Sequence, residues 1–325
     1  VKVVLVRADG IGDALVCAPL VAALRAAGHT LGAVLGTGNR AAFAPGTFAD
    51  MHVLERIPWP RHGSTPESRR SALAAARAAR YDVALIASEE IEAYTFACDA
   101  RVPERIGFTN GWEKPLKSLR VTPWLTRAHV RPASAQRERL HEVVTMFRLG
   151  KGLHGEAVPT RDLGRLRPLL LDAPAAPHGR VALQASAKFE RAGLDAAAFV
   201  ATARELRALG LAPLVLGDEP GFARAIADAA GAEVALGLDV PAWKNAIAGA
   251  RALVTPDSGA AHVAGMLGVP CVDAFAAENA GAATRWSPWA GPFRTVTLDP
   301  VRTTAQTGAR LAREVAELLA GVAVR

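Results

Sequence analysis

Twice along the chain, short apolar runs alternate with helical stretches, and this repetition restricts the fold more than any other feature. In the first half, Val3–Val6, Leu31–Leu35, Val83–Ala87 and Arg105–Phe108 read as strands. Helices are expected over Leu15–Ala27, closed by Gly28, from Thr65-Pro66-Glu67 to about Arg80, and over Ala135–Leu149. The second half repeats the pattern. Strands are expected at Val181–Gln184, Ala212–Leu216, Val234–Leu236, Leu253–Thr255 and Val269–Phe275. Helices are expected at Asp195–Leu209, Phe222–Ala229, Pro241–Ala248, Val263–Leu267 and Thr304–Leu319. Strands joined by helical crossovers lie parallel, so each half predicts an open α/β sheet covered on both faces.

At 325 residues the chain is long for a single core, which favours two domains. The stretch Gly150–Gly179 is rich in Gly, Pro and Arg with little periodicity, and reads as the linker. The expected division is 1–165 and 166–325, two Rossmann-like domains facing a cleft. The last helix, 304–319, is a candidate to pack back on the first domain. Ligands of open α/β sheets bind at the carboxyl ends of strands.

Charge is divided unevenly. Residues 1–165 hold 23 Lys+Arg against 16 Asp+Glu, whereas residues 166–325 hold 15 of each. The excess concentrates in Arg56–Arg80 and Lys114–Arg139. A basic first half fits an anionic partner, or a solvated basic surface. No nucleic-acid module is recognisable, and the basic segments lack interleaved aromatics for base stacking. The three cysteines, Cys17, Cys98 and Cys271, are far apart and show no Cys-x-x-Cys spacing. That argues against a zinc site or disulfide framework and fits a reducing, cytoplasmic setting. No leader pattern precedes Val3, and no apolar run reaches membrane-span length.

Two loops carry the chemistry. Thr255-Pro256-Asp257-Ser258-Gly259-Ala260-Ala261-His262 lies between an apolar run and a helical stretch. A strand–turn–helix start points free N–H groups and the helix dipole at one spot, which suits a phosphate or diphosphate. Asp257 or Ser258 can cap that helix, and Gly259 removes bulk where a ligand would approach. His262, one turn on, can face the same spot or lie buried in the core. The second loop, Arg7-Ala8-Asp9-Gly10-Ile11-Gly12-Asp13, follows the first strand. Gly10 and Gly12 start a dinucleotide fingerprint, but Leu15 stands where the third glycine belongs, and the Asp13 carboxylate would repel a pyrophosphate. An NAD site is therefore disfavoured. Asp13 is well placed as a general base, or as the cap of the following helix.

Arg7 to Pro19 resembles the opening of glycosyltransferase family 9, the heptosyltransferases. Asp257-Ser258-Gly259-Ala260-Ala261-His262 is similar to that family's Asp-(Ser/Thr)-Gly-x-x-His signature. Arg105-Ile106-Gly107-Phe108 and the stretch from Gly268-Val269-Pro270 to Arg285-Trp286-Ser287-Pro288-Trp289 resemble further family elements. The resemblance implies a GT-B fold, with the acceptor on the first domain and a nucleotide sugar on the second. It implies an inverting transferase with Asp13 as base, and with Asp257, Ser258, Gly259, Ala260 and His262 at the diphosphate. Lys188 or Arg191 is implied at phosphate, and Glu219, with Asp218 as the alternative, at the ribose. The family's usual Trp-Pro after the basic residue is Gly193-Leu194 here.

An ADP-heptose-like donor and an anionic acceptor such as lipopolysaccharide inner core follow from the same resemblance. It requires no metal or other cofactor, and the chain has no recognisable Asp-x-Asp motif. Arg7, Gly12, Arg61, Glu89, Lys114 and Arg120, together with Lys117 and Glu90, are the acceptor candidates. Such an acceptor places the protein in the cytoplasm, including the cytoplasmic face of the inner membrane. The alternatives are another nucleotide sugar, a small-molecule or protein acceptor, a nucleotide-sugar epimerase, and a sugar-nucleotide-binding protein without catalysis.

Overall fold

The computed structural model describes residues 1–57, 63–132, 139–187, 190, 194–299 and 301–323. The chain divides into two compact units, Val1–Thr160 and Arg161–Arg325.

In the first unit the strands are β1 (Lys2–Arg7), β2 (Thr30–Gly36), β3 (Asp50–Leu54), β4 (Val83–Ile86), β5 (Glu104–Thr109) and β6 (Arg127–Val130). They pair in the order β3-β2-β1-β4-β5-β6, every pair parallel. In the second unit they are β7 (Val181–Ala185), β8 (Pro213–Gly217), β9 (Glu233–Ala235), β10 (Ala252–Pro256), β11 (Cys271–Phe275) and β12 (Phe293–Thr297). Their order is β12-β11-β10-β7-β8-β9, again parallel throughout. Counted from each unit's first strand, the two sheets have the same doubly wound topology. The strand order reverses between β1 and β4 and between β7 and β10, the switch points where such sheets bind ligands.

The central strands are nearly continuous apolar runs because both faces are buried. Val3 to Val6 are at most 4% exposed and Leu253 is 0%. The edge strands β3, β6 and β12 carry polar residues, and none was expected from the sequence. The expected helix Leu15–Ala27 is two helices, Ile11–Leu15 and Ala18–Ala26, with Pro19 in the first turn of the second, where its missing N–H costs nothing. Of the expected helix Ala135–Leu149, residues 133–138 lie outside the described residues. The helix begins at Glu142, capped by His141, and ends at Phe147. The expected linker contains a helix, Leu163–Leu170, capped by Asp162 and burying Leu166, Leu169 and Leu170. The final helix, Thr304–Ala323, packs on helix Ala196–Ala208 and on β10–β12, all within the second unit.

Candidate functional site

In the first unit the chain leaves β1 at Arg7, a residue only 3% exposed. Its Nη2 lies 2.6 Å from Asp13 Oδ1, its Nε 3.2 Å from Asp9 Oδ2, and its Nη1 donates to the Ala87 carbonyl beyond β4. Arg7 thus ties the two strands of the switch point to both acids of the loop. Asp13 is the third residue of helix Ile11–Leu15, and its Oδ2 also accepts the Gly10 N–H at 3.3 Å. Its side chain remains 37% exposed, so the carboxylate is anchored on one side and open on the other. Asn39, fully buried, steadies the loop by donating to the Arg7 carbonyl at 3.0 Å. Gly36 permits this approach, since a Cβ there would lie 2.6 Å from the Ala8 carbonyl oxygen. After β4, Ser88 Oγ donates to Asp9 Oδ1 at 2.9 Å.

Glu89 stands in a cluster of cations. Its carboxylate lies 2.8 Å from Arg131 Nη1, 2.9 Å from Lys117 Nζ and 3.9 Å from Lys114 Nζ. Burial opposes its charge, but Arg131, Lys117 and Lys114 outweigh burial and hold the carboxyl at about 2. Arg131 also pairs with Glu142, which is 0% exposed. Arg131 and Glu142 were not singled out from the sequence, because nothing local marks residues so far apart as partners. Glu90 pairs with Arg56 at 2.5 Å. Lys114 is exposed, and Arg120 is exposed with no ion pair among the described residues. Gly12 lies within helix Ile11–Leu15. Arg61 lies outside the described residues.

In the second unit, β10 ends at Pro256 and helix Gly259–Leu267 begins three residues later. Ser258 is the cap, and its Oγ accepts the Ala260 N–H at 3.3 Å and lies 2.8 Å from Thr255 Oγ1. The Asp257 N–H donates to the Ala274 carbonyl on β11 at 3.0 Å, which pins the turn to the sheet. The Asp257 carboxyl makes no hydrogen bond or ion pair among the described residues, and burial pushes it up to about 6. His262 is 4% exposed and sits edge-on to Trp286, with ring centroids 5.9 Å apart. The helix packs closely on the Pro288–Trp289 segment, for a Cβ at Gly265 would lie 2.7 Å from Trp289 N. At the neighbouring strand ends, Ser186 after β7 donates to Glu219 Oε1 at 3.2 Å. Asp218 adjoins it at the end of β8. Lys188 and Arg191 lie outside the described residues.

One residue at this switch point was not singled out. Asp273 on β11 faces Thr255 in register and is 0% exposed, with neither carboxyl oxygen hydrogen-bonded. Burial, reinforced by Asp257, pushes its carboxyl well above the usual carboxylate range. Its sequence signal is an acid inside the apolar run Cys271-Val272-Asp273-Ala274-Phe275.

Among the described residues no group of three or more His, Cys, Asp and Glu is placed to hold a metal ion. No helix among them is long and apolar enough to cross a membrane.

No family model matches the chain, and no curated protein matches it. Solved structures do match over almost its whole length. A glycosyl transferase family 9 structure from Veillonella parvula DSM 2008 is 14% identical, with a TM-score of 0.72 covering 98% of this chain and 97% of that one. E. coli heptosyltransferase WaaC with ADP is 18% identical, with a TM-score of 0.74 covering 98% and 100%. E. coli ADP-heptose lps heptosyltransferase II is 17% identical, with a TM-score of 0.72 covering 99% and 100%. The chain has the GT-B fold of these structures, as the two sequence motifs led one to expect.

Proposed function

We propose that the chain is an inverting glycosyltransferase that moves a heptose-like sugar from ADP-heptose to a hydroxyl of an anionic glycan acceptor of the lipopolysaccharide inner-core type. The observation that carries this reading is the Arg7–Asp13 pair, 2.6 Å apart at the end of β1, which anchors one carboxylate oxygen and leaves the side chain open to solvent. It is supported by the fold shared with solved heptosyltransferases, one of which holds ADP.

In this mechanism Asp13 takes the proton of the acceptor hydroxyl. The oxygen attacks the anomeric carbon from the face opposite the diphosphate, the new C–O bond forms as the old one breaks, and the electron pair leaves on the diphosphate oxygen. Arg7 positions Asp13, holding one carboxylate oxygen so that the other can meet the hydroxyl. The turn at Ser258, Gly259 and Ala260 and the dipole of helix Gly259–Leu267 face the departing charge. His262 lines that turn, Lys188 or Arg191 meets phosphate, and Glu219 meets the ribose. On the acceptor side, Glu89, Lys114 and Arg120, with Arg61 and Gly12, contact the glycan, and the excess of positive charge draws an anionic acceptor to this unit. An acceptor of this kind puts the enzyme at the cytoplasmic face of the inner membrane.

Calorimetric titration with ADP, UDP and GDP in metal-free buffer tests the donor. Selective ADP binding is expected. Preference for UDP or GDP would replace the donor, and no binding to any of the three would remove the nucleotide-sugar reading.

A further inference from the structure

We propose that segment 111–124 of the first unit, with the adjoining end of β6, is a docking face for the surface of an anionic lipid bilayer. Four of the chain's most exposed large apolar side chains gather here: Trp112 is 95% exposed, Leu116 82%, Leu119 72% and Val130 69%. Single exposed apolar residues are ordinary, but a cluster marks an interaction site.

The helix Pro115–Val121 is oriented against the usual rule, by which a surface helix turns its apolar side inward. Its inward side carries Lys117, which meets Glu89 at 2.9 Å. Beside it, Ser118 Oγ accepts the Asn110 N–H at 3.1 Å and donates to the Gly111 carbonyl at 3.1 Å. Val121 is buried beneath them. These polar ties leave Leu116 and Leu119, three residues apart, together on the outer face. Trp112 precedes them on a short 3-10 turn, Gly111–Glu113. Val130 adjoins that turn, because a Cβ at Gly111 would lie 3.2 Å from Val130 Cγ1.

The surrounding charge favours a lipid occupant. Lys114 and Arg120 are exposed beside the leucines, with Glu113 as the acid of the segment. Tryptophan and leucine on one side with flanking Lys and Arg is the composition that settles at the boundary of headgroups and acyl chains when the headgroups are anionic. A second copy seated symmetrically on this face would set the same cations against one another. No helix among the described residues is long enough to span, so the contact is with the bilayer surface. This proposal stands on exposure and charge and does not depend on the transferase reading.

The test is flotation of the whole chain with vesicles of phosphatidylcholine mixed with phosphatidylglycerol, and with phosphatidylcholine alone. Binding to the mixed vesicles is expected, weakening as salt rises. The triple variant Trp112→Ser, Leu116→Ser, Leu119→Ser should keep its circular dichroism and melting temperature and lose vesicle affinity by at least about tenfold. In vesicles with brominated acyl chains, wild-type tryptophan emission should be quenched, and Trp112→Phe should still float yet lose most of that quenching. Failure of the wild type to bind, equal binding to neutral vesicles, undiminished binding of a folded triple variant, or quenching unchanged in Trp112→Phe would each overturn the proposal. So would a dimer in sedimentation that the triple variant dissociates.

Discussion

Asp257→Asn should stabilise the protein above neutral pH and leave it unchanged in acid. The Asp257 carboxyl is partly buried at the end of β10 without a hydrogen bond or ion pair among the described residues, and burial lifts it to about 6 from an ordinary 3.8. The folded state therefore holds a proton that the unfolded chain has already released between these values. Stability from this group is fully present below the unfolded value, falls as pH rises toward the folded one, and stays at its reduced level above it. A shift of this size corresponds to about 3 kcal/mol. Asparagine keeps the shape and removes the charge. The variant should exceed wild type by up to about 3 kcal/mol near pH 8, a gain of roughly 6–12 °C in melting temperature if the second unit melts independently. The gain should vanish below about pH 4, where the wild-type carboxyl is protonated in both states. Urea unfolding of both proteins across this pH range is the assay. A difference that does not change with pH, or a wild type more stable at pH 8, would refute the argument from burial.

Asp13→Asn should cut turnover by about 100- to 10,000-fold, the usual contribution of a general base, while calorimetry finds ADP affinity nearly unchanged. Near-normal turnover would remove Asp13 from that role. ADP binding near pH 6.5 should take up protons, because a diphosphate beside Asp257 raises its carboxyl further, and affinity should grow as pH falls toward 6. Binding enthalpies that are equal in buffers of different ionisation heat would contradict this. Gly265→Ala should destabilise by about 1–3 kcal/mol despite alanine's better helix propensity, since the added carbon meets the Trp289 backbone at 2.7 Å. A denaturation midpoint at or above wild type would show that the Pro288–Trp289 segment yields freely.

The sequence by itself determined the two α/β halves and the two loops at their strand ends. Those signals are local: apolar runs the length of a strand, glycine stops after helices, and Ser258 and Pro66 at helix starts act within a few residues. It did not reveal β3, β6 or β12. Edge strands are half-solvated, so Arg127-Ala128-His129-Val130 and Phe293-Arg294-Thr295-Val296-Thr297 carry polar residues that blur the apolar run. Only the tertiary structure decided how the charges are used. Asp13, a residue that could simply have capped a helix, both receives the Gly10 N–H and pairs with a buried arginine. Glu89 lies among three cations, one of them, Arg131, brought in just after β6 and itself held by Glu142. The Asp273 carboxyl is pushed up because the sheet encloses it, and Leu116 and Leu119 are exposed because Lys117 and Ser118 hold the other side of their helix. Ion pairing and burial depend on which distant segments meet, and no local periodicity encodes that.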